Sequence, residues 1–129
     1  MVRVGSDERS FTVDFNWEKL PSGWEAPMAA VAVDSKNRVY GFNRGPHKVI
    51  IFDREGNYLD HWKDVDFIFP HAIYADDADN IWIVDRDAGQ VLKYTPEGEL
   101  LLSIGEKGYR SDTGADNSVF TSDGFKDVT

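Results

Sequence analysis

At 129 residues the chain has the size of one domain, and its 41% hydrophobic and 13% aromatic content suits a folded globule rather than a disordered segment. A net charge of −9 and a pI near 4.6 exclude a nucleic-acid partner, since phosphate needs a basic face, and disfavour an anionic membrane surface. Cysteine is absent, which removes disulfides and thiolate metal sites, and no apolar run approaches the roughly 18 residues of a membrane-spanning helix.

Residues 1–10 are polar and read as a frayed end. The first eight lack the apolar core of a signal peptide, so a soluble chain, cytoplasmic by default, is expected. Phe11 to Asn16 alternates apolar and polar residues, the pattern of a half-buried strand. No unit of its own has room there, so residues 11–16 are expected to close a distant sheet and to lack their partner here. Leu20-Pro21-Ser22-Gly23-Trp24 is a turn leading onward.

From there the chain repeats itself. Shifted by 42 positions, Val31–Trp62 falls on Ile73–Ile104 without a gap. Asp34/Asp76, Arg44/Arg86, Val49/Val91, Glu55/Glu97, Gly56/Gly98 and Leu59/Leu101 are identical pairs, and Tyr40/Trp82, Phe42/Val84 and Phe52/Tyr94 keep apolar character. A period in the low forties built of strand-like segments is the mark of a β-propeller blade. Each copy divides into four strands, near 29–34, 38–44, 47–53 and 58–62, then 71–76, 80–86, 89–95 and 99–104. Turn residues separate them, with Gly56 and Gly98 placed to supply positive φ. No apolar stripe of helical period occurs.

Beyond Gly105, residues 106–129 are rich in Gly, Ser, Asp and Asn without a period, and read as a loop or a broken-off continuation. The expected fold is therefore all-β: an incomplete propeller of two four-stranded blades, 29–62 and 71–104, in one partial domain over 1–129. Two blades lack the neighbours that would bury Val33, Phe42, Ile83 and Val84. Such a chain is expected to be part of a longer one, or to self-associate through its exposed faces.

The repeat supplies an internal control, because a site residue breaks the pattern that its copy keeps. His71 stands where the first copy has Ala29, at the start of an inner strand. Inner strands line a propeller's channel and imidazole is a common metal ligand, but a loop histidine bonded to backbone fits the same position. Arg44 and Arg86 close the second strand of each copy, suited either to holding loop carbonyls or to gripping a carboxylate. Asp77, Asp79 and Asn80 lack the further ligands of a calcium loop and read as a hairpin turn. His47 and His61 have no partner at metal-ligand spacing and read as surface residues.

With Pro70-His71-Ala72-Ile73, Phe42-Asn43-Arg44-Gly45-Pro46-His47 and Asn80-Ile81-Trp82-Ile83-Val84-Asp85, the chain resembles NHL-repeat six-bladed propellers from about Trp24 to Gly105. Among them it is most similar to the peptidyl-α-hydroxyglycine α-amidating lyases and their bacterial relatives. The resemblance implies zinc and calcium as cofactors and a peptide-like substrate cleaved to a peptide amide and glyoxylate. It implies that His71 is a zinc ligand, that Arg44 binds substrate, and that the backbone carbonyls of Val31 and Ile73 help hold calcium. The other zinc histidines, the tyrosine base and the last calcium ligand would lie in blades this sequence does not contain, so this chain alone is expected to be inactive. A non-catalytic NHL binding module and a calcium-dependent lactonase-type propeller are the alternatives.

Overall fold

The computed structural model describes residues 2–109, which form ten strands in three antiparallel sheets and no helix. The protein is all-β. Among the described residues no helix is long and apolar enough to cross a membrane.

The first sheet is a hairpin of β1 (Val2–Ser6) and β2 (Arg9–Val13). Asp7 opens its two-residue turn at φ 47°. The polar end is thus a strand, and the strand expected over residues 11–16 runs Arg9–Val13 with a partner already in hand. The reason is cross-strand pairing. Val2 faces Val13 and Val4 faces Phe11, so two apolar pairs form within the hairpin, although both strands stay largely exposed.

The second sheet orders β3 (Met28–Val33), β4 (Val39–Asn43), β5 (Val49–Phe52) and β6 (Tyr58–His61) as neighbours. The third repeats this with β7 (Pro70–Ala75), β8 (Ile81–Asp85), β9 (Gln90–Tyr94) and β10 (Leu100–Ile104). Each of the eight strands lies within two residues of its expected bounds. The register repeats as well. Val31 pairs with Gly41 as Ile73 pairs with Ile83, and the first pair of each sheet carries a bulge, between Met28 and Ala30 and between Pro70 and Ala72.

The core lies between these two sheets. Alternate residues Ala32, Tyr40, Phe42, Val49 and Ile51 from one meet Ile73, Ile81, Ile83, Leu92 and Tyr94 from the other, with Trp62 and Phe67 from the connection. Hence Phe42 and Ile83, expected to lack neighbours, are fully buried; Val84 is half-buried, and Val33 is 54% exposed. On the far side of the first repeat, Trp17 packs on Phe52 with ring centroids 5.6 Å apart.

The turn acids that recur in both repeats cap their own turns. Asp34 Oδ1 accepts the amides of Lys36 and Arg38, and Asp76 Oδ1 accepts those of Ala78 and Asn80. The outer oxygens differ: Asp34 Oδ2 takes Arg38 Nε and Tyr40 Oη, while Asp76 Oδ2 takes Trp82 Nε1. Asp79 accepts the amide and hydroxyl of Ser35, tying the two turns together.

Candidate functional site

The inner bulges place the candidate residues. His71 occupies the bulge of β7, where an extra residue re-aims a side chain, and Ala29 occupies the same place in β3. The imidazole is partly buried, and its Nδ1 is shut away from water without a hydrogen-bond partner among the described residues. A buried polar atom left unpaired carries a free-energy cost and calls for an explanation.

Arg44 follows β4 and reaches across to the other repeat. Its Nε donates to the Pro70 carbonyl at 3.2 Å, one residue before His71, and its guanidinium lies 4.3 Å from the Phe69 ring centroid. Arg86 lies over the same ring at 3.8 Å, but its Nε is engaged by Asp87 Oδ1 at 2.9 Å. Arg44 has no carboxylate partner among the described residues. The identical arginines therefore differ: Arg44 bridges the sheets, whereas Arg86 is paired locally.

Two buried polar residues that the sequence reading passed over set this geometry. Asn43 donates from Nδ2 to the Glu25 and His47 carbonyls and accepts the Gly45 amide. Its counterpart Asp85 accepts the amides of Ile68, Phe69 and Ala88. Each pins the loop entering its repeat, and backbone bonds complete the pin: Arg44 N to Pro27 O and Arg86 N to Phe69 O, both 3.1 Å. The signal was available, since Asn43 and Asp85 are also 42 apart with hydrogen-bonding side chains at an otherwise apolar strand end.

Val31 and Ile73 sit at matching points of β3 and β7, the first 61% exposed and the second buried. Among the described residues no three His, Cys, Asp or Glu side chains gather to hold a metal. His71 is a fitting single ligand, but a catalytic zinc takes three protein ligands, so these residues do not by themselves make a zinc site.

His47 and His61 are not isolated surface residues. The His47 ring stacks on Trp24 with centroids 3.4 Å apart and 4° between planes. His61 meets Trp24 and His47 edge-on at 5.0 and 5.2 Å, and its Nδ1 is 2.7 Å from Tyr58 Oη. Burial, then the neighbouring His47 and Lys63 charges, holds His61 below the ordinary histidine range, with Asp60 opposing. Sequence spacing did not reveal this cluster because folding of the β5–β6 hairpin and of the 21–27 loop creates it.

Compared with protein-family models and with curated proteins, the sequence matches none.

Proposed function

We propose that the two four-stranded sheets are consecutive blades of an NHL-type propeller, and that the parent protein is a lyase acting on peptidyl-α-hydroxyglycine. The blade reading is supported by a joint used twice. Trp62 Nε1 donates to the Pro96 carbonyl and its ring closes over Gly98; Trp17 Nε1 donates to the Arg54 carbonyl, and its backbone closes over Gly56. A segment ahead of the first repeat therefore docks on it much as the first repeat docks on the second.

The functional reading rests on one observation: Arg44 from the first sheet is bonded to the residue preceding His71 in the second. With Nε held by the Pro70 carbonyl and the fork lying near Phe69, the terminal amino groups are left to grip a substrate carboxylate. His71 would supply one imidazole ligand. Zinc would polarise the substrate as a Lewis acid when bound, with its remaining ligands supplied from outside the described residues. The backbone carbonyls of Val31 and Ile73 would help hold calcium.

The test measures bound zinc and lyase activity in the complete parent protein. His71→Ala is expected to lower both, while Arg44→Lys weakens substrate binding and leaves zinc unchanged, because lysine lacks the bidentate fork. Equal zinc in wild type and His71→Ala removes His71 from the site and favours the binding-module reading.

A further inference from the structure

Four rings meet where the loop entering the first repeat packs on it. Trp24, from the loop entering β3, lies flat on His47, and Tyr58 and His61 of β6 meet it edge-on. His47 Nδ1 is buried with no hydrogen-bond partner among the described residues. Two titratable rings thus share one aromatic surface at 5.2 Å from each other.

We propose that the Trp24–His47–His61 stack is a proton-sensitive latch, holding residues 21–27 on the first repeat while His61 is neutral and releasing them when it takes up a proton.

A proton on His61 must sit in a partly buried position, with His47 and Lys63 nearby, and Asp60 offsets this only in part. Lys48, beside His47, turns its ammonium to the Arg44 carbonyl, and Glu25, beside Trp24, holds Asn43 through its backbone. His61 is kept neutral by the fold, so its contribution is present above the ordinary histidine pKa of about 6.5 and is lost as pH falls below it.

Release would not stay local. Trp24 is followed at once by Glu25 and Pro27, whose carbonyls receive Asn43 Nδ2 and the Arg44 amide. Lifting Trp24 therefore loosens the backbone that carries Arg44. The latch itself stands on the ring geometry, whatever ligand Arg44 takes.

The test follows amide exchange of residues 21–27 and tryptophan emission in the full chain between about pH 7 and pH 5. Corrected for intrinsic chemistry, opening of 21–27 is expected to become severalfold more frequent at the acid end, with protection of β4 and β5 kept. His61→Gln, which removes the proton acceptor, is expected to stay latched, and Trp24→Phe to lose the pH-dependent part of the emission. Unchanged exchange in the wild type, or the same acid response in a His47→Gln/His61→Gln double variant, overturns the proposal. If the double variant does not fold, His61→Gln alone decides, and an acid response equal to that of the wild type overturns the proposal.

Discussion

Trp62 closes over the turn at Gly98. Its indole Nε1 donates to the Pro96 carbonyl at 2.8 Å, and a Cβ built on Gly98 would lie 2.7 Å from the ring. Gly98 also sits at φ 95°, a conformation that L side chains rarely adopt. Steric space and backbone conformation thus demand glycine together, where one repeat docks on the next.

Gly98→Ala is accordingly expected to destabilise the fold by about 2–3 kcal/mol, from backbone strain and a displaced indole. Urea unfolding measures it. Trp62→Phe keeps an aromatic ring but loses the hydrogen bond to Pro96, and a smaller loss of roughly 1 kcal/mol is expected. A neutral Gly98→Ala would show that the joint does not tie the repeats together.

Asp34 is the buried end of a network. Burial alone would raise its pKa, but hydrogen bonds from the Arg38 amide, Tyr40 Oη, Arg38 Nε and the Lys36 amide outweigh that and lower it. Asp34→Ala strands the Tyr40 hydroxyl and the Arg38 guanidinium, and a loss of roughly 2–3 kcal/mol is expected in chemical denaturation. Asp34→Asn is expected to lose less, because the amide oxygen still accepts the turn amides.

Acid acts on the repeated turns together. Asp53 is lowered chiefly by the Asn57 side chain, and Asp76 chiefly by Trp82 Nε1, so both join Asp34 in being more acidic folded than unfolded. Depressed carboxylates stabilise above their unfolded pKa of about 3.9 and lose that contribution as pH falls through the folded value. Melting temperature is expected to drop below about pH 4, and less steeply in Asp76→Asn, which no longer titrates there. An identical profile in the variant would remove Asp76 from the acid response.

Apolar residues left in water set the association behaviour. Val31 and Val33 on β3, and Leu100, Leu101, Leu102 and Ile104 on β10, are each 44–61% exposed. The isolated chain is expected to self-associate at micromolar concentration, and Leu101→Lys to reduce the sedimenting mass by charging the outer strand. A stable monomer in the wild type would refute this. A closed trimer would instead support three chains sharing one ring.

The sequence by itself determined the repeat, the eight repeat strands, their glycine turns and the absence of helix among the described residues. Those features depend on local chemistry: period-two alternation, positive φ at Gly56 and Gly98, and turn acids such as Asp34 and Asp76 that cap amides within four residues. It also singled out His71, because a repeat exposes the residue that departs from its copy, and Arg44, which the second copy keeps as Arg86 at the same strand end. Tertiary structure decided what lies beyond local reach. The β1–β2 hairpin came from cross-strand pairing of Val2 and Val4 with Val13 and Phe11, in a segment whose overall polarity hid its alternation. Burial of Phe42 and Ile83 came from the packing of one sheet on the other. The meeting of Arg44 with Pro70, 26 residues away, and of Trp24 with His47 and His61 followed from chain crossings that no spacing encodes. Side-chain contacts between separate elements depend on how those elements pack, and a linear pattern specifies faces rather than partners.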